Sequence, residues 1–113
     1  MATRTDDLRA ENETVLLRMA ESGVDFSKAH LVDFTIVFVD EPSATAFARR
    51  AEVMGYGIDV EDSGTVASHP WDVTAPCTML LSVGQITDAE IVLGNLANEL
   101  GGKMDGWGCL LPA

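Results

Sequence analysis

The chain contains 113 residues, of which 47% are hydrophobic and 22% are charged, and this balance excludes a disordered chain. The longest apolar run is far shorter than a membrane-spanning helix, and the length predicts a single domain over residues 1–113. Acidic residues outnumber basic residues by 18 to seven, which gives a net charge of −11, and residues 51–102 contain no lysine or arginine. Nucleic acid and anionic lipid repel such a chain, so we expect a basic protein partner and no direct binding to nucleic acid or membrane.

The N-terminus and the two cysteines indicate the compartment. No apolar stretch follows the first arginine, so we expect no signal peptide and a cytoplasmic protein. Cys77 and Cys109 are too few and too far apart for a zinc motif or a redox pair. We interpret both cysteines as small buried hydrophobic residues.

The first half of the chain predicts a helix, a strand and a second helix. Apolar residues at helical spacing predict the first helix over residues 4–22, and alternating apolar residues predict a strand over 30–39. Asp40 and Pro42 are typical of a helix start, and Gly55 is typical of a helix end.

The second half begins with two predicted strands. Alternation over residues 56–61 and 71–82 predicts a pair of strands separated by a polar turn over 62–69. Pro76 cannot donate a hydrogen bond to a sheet, so we expect a bulge or an unpaired edge there.

The last predicted elements are a helix and a short strand. Thr87 and Glu90 match the two ends of a capping box, which predicts a helix start, and residues 103–111 predict the final strand. A helix followed by the order βαββαβ predicts an α+β, ferredoxin-like sandwich with a four-stranded antiparallel sheet and an extra N-terminal helix. Right-handed crossovers place both later helices on one face of that sheet.

The opposite sheet face is predicted to be polar and acidic. Its predicted members are Asp33, Thr35, Asp59, Glu61, Asp72, Thr74 and Thr78. Four apolar residues share this face, which indicates that the first helix or a second subunit covers part of it: Leu31, Val37, Val39 and Leu80.

Sequence patterns for catalysis or RNA recognition are weak. Phe34, Phe38 and Trp71 fall on the apolar face, so the open face lacks the aromatic residues of an RNA-recognition module. His30 and His69 lie at element edges without a nucleophile at a recognisable spacing. We therefore predict no enzyme, no catalytic residue and no cofactor.

Carboxylates form the other candidate cluster. Asp59 and Glu61 lie two residues apart on one strand, and Asp72 is a possible neighbour. We interpret them as exposed acids rather than a glycosidase-like pair, and although oxygen ligands suit a divalent cation, we predict no metal site.

The most unusual string in the chain is Asp105-Gly106-Trp107-Gly108. Two interpretations remain open. The glycines permit a tight turn or bulge that tucks Trp107 against the core. Alternatively, Trp107 is exposed at a sheet edge and binds a partner, because tryptophan is enriched at binding hot spots.

Residues 96–109, which contain this string, resemble the end of the regulator of ribonuclease activity B family. The segments over residues 54–60 and 70–73 are also similar, and the resemblance extends over about residues 5–110. Met104 departs from the family pattern, in which an aromatic residue is usual, and the acidic tail of the best-known member has no counterpart before Ala113. The resemblance implies a ferredoxin-like, non-catalytic protein that binds ribonuclease E and inhibits its cleavage of RNA.

Two functional hypotheses follow. The first is an acidic protein-binding regulator of ribonuclease E or of another basic RNA-processing protein. Its predicted partner-binding residues are Asp59, Glu61, Asp72, Asp105, Gly106, Trp107 and Gly108. The second is a homodimeric, small-molecule-binding regulatory domain that uses the open sheet face.

Overall fold

Three helices and four strands follow one another along residues 4–109, which are the residues that the computed structural model describes. Their bounds are α1 (Arg4–Glu21), β1 (Ala29–Phe38), α2 (Glu41–Val53), β2 (Asp59–Val66), β3 (His69–Leu80), α3 (Val83–Glu99) and β4 (Lys103–Cys109). The predicted element order is confirmed, although the last two residues of the predicted final strand lie outside the described residues.

The four strands form one antiparallel sheet in the order β2-β3-β1-β4. This order is compatible with the predicted ferredoxin-like arrangement, and the α+β class is confirmed. β1 is central, and it pairs with β3 over its whole length, from Ala29 opposite Leu80 to Phe38 opposite Trp71.

The hydrophobic core lies between the sheet and the helices α2 and α3. Phe34 and Phe38 of β1 are fully buried, as the alternation predicts, and Trp71 packs against the same core. The Phe38 ring lies 5.2 Å from the ring of Phe47 in α2. Burial of these aromatic rings stabilises the packing of α2 on the sheet.

Helix α1 packs against α3 on the helical side of the sheet. The sequence predicted the first helix as one of two possible covers of the open sheet face, and α1 does not cover it. On α1, Leu16 is buried while Val15 is 40% exposed, and the polar residue Asn12 is only 3% exposed. None of the described helices combines the length and the hydropathy that crossing a membrane requires.

The hairpin between β2 and β3 differs from its prediction. β2 runs over Asp59–Val66 rather than 56–61, and the turn is only Ala67 and Ser68 rather than residues 62–69. The apolar alternation ends at Val60, but polar residues can continue an edge strand because the backbone supplies the ladder of hydrogen bonds.

Pro76 stays in register in the middle of β3, opposite Asp33 of β1, and no bulge forms there. The Pro76 carbonyl accepts a hydrogen bond from the Gly57 N–H at 3.1 Å, so the polar backbone of Pro76 points toward the β2 side of β3. β2 begins only at Asp59, after Gly57, so no residue of β2 pairs with Pro76. The missing N–H of Pro76 therefore removes no hydrogen bond between β3 and β1, and β3 is unpaired at Pro76 only on the β2 side.

Helix α3 begins four residues before the predicted capping box. Its N-cap is Ser82, whose side chain accepts a hydrogen bond from the Gln85 N–H at 3.1 Å. Ser82 and Gln85 fit the same sequence pattern as Thr87 and Glu90. The prediction of a start at Thr87 was wrong because the later pair lies inside the helix and is buried.

Candidate protein-binding surface

Two acidic residues lie directly opposite each other on the open sheet face. In the register of β2 and β3, Glu61 lies opposite Asp72 and Asp59 lies opposite Thr74. The structure thus brings together three of the predicted site residues, as the sequence suggested for Asp72. Carboxylates paired across two strands repel each other, so this arrangement costs stability.

Asp72 also carries an unsatisfied polar atom. Its Oδ1 is buried and has no hydrogen-bond partner among the side chains and backbone groups that the structure describes. Val37, its neighbour on β1, is fully buried although it lies on the open face. A buried acceptor without a donor is rare in folded proteins, so this atom adds to the free-energy cost of an acidic residue at position 72.

The row that contains Glu61 and Asp72 continues across Val37 to Lys103 on β4. Two strand spacings of about 4.8 Å separate the Asp72 and Lys103 backbones, so the cation does not neutralise the acid pair closely. Asp33 on β1 adds a further carboxylate to the face, opposite Pro76. The potential of this face is therefore negative around β2 and β3.

The four-residue string of β4 lies at the other edge of the sheet. Met104 is opposite Ile36 and Gly106 is opposite Thr35, so Asp105 is the extra residue of a β-bulge. Gly106 adopts a φ of +133°, a conformation that favours glycine. Since β1 and β3 lie between β4 and β2, Asp105 does not join the acid pair.

Trp107 lies on the helical side of the sheet. It is half-buried and packs against the core, opposite Phe34 of β1. Its indole Nε1–H donates a hydrogen bond of 2.8 Å to the Asn12 Oδ1. This geometry matches the interpretation that tucks Trp107 against the core, and a role in partner binding stays a prediction.

Asn12 connects three elements through its amide group. Its Nδ2 donates to the Thr87 Oγ1 at 2.9 Å and to the Glu90 Oε1 at 2.7 Å, and its Oδ1 accepts from Trp107. Sequence reasoning missed this buried network. Asn12 lies four residues from Leu8 and four residues from Leu16, so it shares the apolar face of α1 with them. A polar residue on that face was the sequence feature that could have indicated the network.

The histidines make local contacts. The His30 ring Nε2 lies 2.8 Å from the Asp25 carbonyl oxygen, so this nitrogen carries the proton and donates. The His69 ring Nδ1 lies 2.8 Å from the Ser68 hydroxyl, at the hairpin turn. Hydrogen bonds from Ser27 lower the pKa of the Asp25 carboxyl and hold the turn before β1.

Both cysteines are half-buried, whereas the sequence predicted that they are buried. Cys77 and Cys109 are both opposite Val32, on the two sides of β1, so two strand spacings separate them. Burial raises the pKa of the Cys109 thiol, and the Asp33 carboxylate raises it further. Across residues 4–109, no group of three or more potential metal ligands comes together.

The fold and this surface define a small α+β sandwich whose open sheet face carries the opposed acidic residues Glu61 and Asp72. A family model described as Regulator of ribonuclease activity B matches residues 9–109, which is nearly the whole chain. The chain belongs to the Regulator of ribonuclease activity B family, and membership implies regulation of ribonuclease activity. No match was found among curated proteins.

Proposed function

We propose that the chain binds ribonuclease E through its open sheet face and thereby reduces cleavage of RNA, without catalysing a reaction itself. The observation that carries this proposal is the paired carboxylates of Glu61 and Asp72, with the Asp72 Oδ1 buried and without a donor in the described structure. Because the proposed partner acts on RNA, we place both proteins in the cytoplasm.

An arginine of the partner relieves the electrostatic cost of this pair. Its guanidinium has five N–H donors in a planar fork that matches a carboxylate. The exposed Glu61 carboxylate accepts from these donors, and the positive charge offsets the repulsion between Asp72 and Glu61. The pair is therefore less favourable in the free protein than in a complex, which is typical of a binding site.

The charge of the chain supports the same kind of partner. The absence of lysine and arginine from residues 51–102 leaves β2 and β3 without cations, so a basic surface approaches them under long-range attraction. We extend the proposed surface to Asp105, Gly106 and Gly108. A Cβ at either glycine would meet no atom within 4 Å, so this part of β4 is accessible to a partner.

The test uses the full chain and purified ribonuclease E. Binding is measured by biolayer interferometry at low and moderate salt, and inhibition is measured as the cleavage rate of a fluorescent RNA. The variant combines Glu61→Gln with Asp72→Asn. The matched control combines Glu52→Gln with Asp88→Asn, which remove the same charge from exposed positions on α2 and α3.

We expect the Glu61/Asp72 variant to weaken binding about tenfold or more and to lose inhibition in proportion, because hot-spot contacts dominate an interface. The control should change binding by less than about twofold, since exposed rim charges contribute little. Equal effects of the two variants would show that binding depends on the net charge of the chain and not on the position of Glu61 and Asp72. No binding to ribonuclease E by the unaltered chain would overturn it.

A second candidate function rests on the apolar end of the open face. Leu31 and Leu80 are 44% and 43% exposed, and the register of β1 and β3 makes them diagonal neighbours, because Leu31 is opposite Thr78. A second copy that covers them would form the homodimeric, small-molecule-binding domain of the alternative hypothesis. Light scattering after size exclusion separates the two functions, because a stable dimer that Leu31→Gln dissociates favours this one.

A further inference from the structure

An apolar groove lies on the helical side of the molecule, away from the open sheet face. It has a volume of about 330 Å³ and is open to solvent along its length. Its described lining residues come from α1, from the segment before β1, and from the junction of β3 with α3: Glu13, Leu16, Leu17, Ala20, Phe26, Leu81, Ser82 and Val83.

The groove has a buried floor and an exposed rim. Leu16 and Leu81 are buried, whereas Leu17 is 63% exposed. Glu13 and Leu17 lie four residues apart on α1, so they sit side by side on one helix face. Leu17 thus exposes a large apolar side chain beside a carboxylate, at a site where burial by a partner would be favourable.

The turn that carries Phe26 is held in place by hydrogen bonds. The Asp25 Oδ1 accepts from the Ser27 N–H and the Ser27 hydroxyl, at 2.9 and 2.6 Å. The His30 ring donates to the Asp25 carbonyl oxygen. Phe26 packs against the core from this turn, so one wall of the groove exists before any partner arrives.

We infer that this groove binds a basic peptide segment through large apolar side chains. Its open shape cannot enclose 70–90% of a small ligand, as small-molecule sites do, whereas a peptide inserts side chains and leaves its backbone outside. Among the described lining residues, Glu13 alone is charged, and Ser82 is already engaged as the N-cap of α3. An apolar side chain flanked by arginine or lysine therefore complements both the floor and the rim.

This inference goes beyond the proposed function, because it assigns a second surface on the opposite side of the sheet. Its test needs no ribonuclease, so either proposal can fail while the other stands. The probe is a fluorescent synthetic peptide with two adjacent leucines between pairs of arginines. A second peptide carries serines in place of the leucines and measures attraction by charge alone.

Two matched pairs of variants locate the binding. Leu17→Gln removes the exposed apolar side chain at the groove, and Val53→Gln does the same on α2, where Val53 is 89% exposed. Glu13→Gln removes the rim charge, and Glu52→Gln removes an exposed charge next to Val53. All four positions are exposed, so the variants should fold, and circular dichroism checks this. Binding is followed by fluorescence anisotropy.

We expect the leucine peptide to bind more tightly than the serine peptide. Leu17→Gln should weaken it about tenfold, and Val53→Gln by less than about twofold. Glu13→Gln should weaken it about twofold to threefold at low salt, with a smaller effect at high salt. The inference is overturned if both peptides bind equally or if Leu17→Gln and Val53→Gln act alike. It is also overturned if the chain forms a dimer that Leu17→Gln dissociates, because the occupant is then a second copy.

Discussion

The indole N–H of Trp107 donates a hydrogen bond to the side-chain oxygen of Asn12 across 95 positions in sequence, at 2.8 Å. This bond joins the last strand to the first helix. The same amide group binds Thr87 and Glu90 in α3, so one buried side chain fixes the position of α1 relative to the rest of the fold. Burial makes this network important, because polar groups left without partners inside a protein are costly.

The first prediction concerns this network. Asn12→Ala should lower the free energy of unfolding by about 3 kcal/mol, because it leaves buried polar groups without their partner. Trp107→Phe should cost about 1 kcal/mol, since the ring stays and only the N–H is lost. Asn12→Ala should then cost about 1 kcal/mol less in the Trp107→Phe background than alone. Urea unfolding of the four proteins measures these values.

The control for the network is Asn98→Ala, at an exposed position of α3, which should change stability by less than about 0.5 kcal/mol. Strictly additive effects of the Asn12 and Trp107 substitutions would show that the hydrogen bond does not contribute.

The order of elements could be predicted because the periodicity of apolar residues reports directly on helices and strands. The alternation of Phe34, Ile36 and Phe38 places them in the core, and all three are buried. The position of α1 could not be predicted in this way. Its attachment depends on Asn12, and a hydrogen bond between residues so distant in sequence leaves no local pattern.

Helix α3 provides the second prediction. Ser82→Asp should change stability by less than about 0.5 kcal/mol, because aspartate caps a helix as well as serine does. Thr87→Asp should lower stability by more than about 3 kcal/mol, because Thr87 is fully buried and a carboxylate there is desolvated beside Glu90. Thermal unfolding compares the two variants. If Thr87→Asp were harmless, the helix would begin at the later capping box instead.

Gly102 provides the third prediction. A Cβ at this position would lie 2.8 Å from the Val37 carbonyl oxygen and would overlap the ring of Phe38. Phe38 is fully buried and cannot move aside, so Gly102→Ala should cost about 3 kcal/mol. Gly84→Ala is the matched control, because a Cβ there meets nothing within 4 Å.

The control should raise stability rather than lower it. Gly84 lies in the first turn of α3, where alanine is favoured over glycine by about 0.7 kcal/mol. Urea unfolding gives both values, and a loss of stability in both variants would point to a general intolerance of alanine instead of a clash with Phe38.

The pH dependence of stability provides the fourth prediction. The Asp40 side chain caps α2, and hydrogen bonds from Ser43 lower the pKa of its carboxyl. Because the pKa is lower in the folded state than its unfolded value of about 3.9, the carboxylate contributes stability above that pH and loses it as the pH falls through the folded pKa. Asp40→Asn keeps a capping oxygen but cannot ionise.

The wild type should therefore be more stable than the Asp40→Asn variant at pH 7, and the difference should vanish at the most acidic pH. Urea midpoints measured from pH 7 downward to below pH 3 check this. A difference that grows toward low pH would contradict the assigned role of the carboxylate.

Part of the candidate site could also be predicted from the sequence. The spacing of Asp59 and Glu61 places both on one strand face, and the alternation around Asp72 places it on the open side of β3. The strand register could not be predicted, because the hairpin turn is shorter than the polar segment suggests. That register alone decides that Glu61 lies opposite Asp72, whereas the strand order separates both from Asp105.

The paired carboxylates provide the last prediction. Because like charges across two strands destabilise a sheet, Glu61→Gln should raise the free energy of unfolding by about 0.5 kcal/mol at low salt. Glu52→Gln, a matched change on α2, should leave stability nearly unchanged. High salt should reduce the gain from Glu61→Gln, since screening weakens the repulsion that the substitution removes. A variant that gains stability while it loses partner binding would identify the Glu61 and Asp72 pair as a feature kept for binding, and a loss of stability would instead make Glu61 a structural residue.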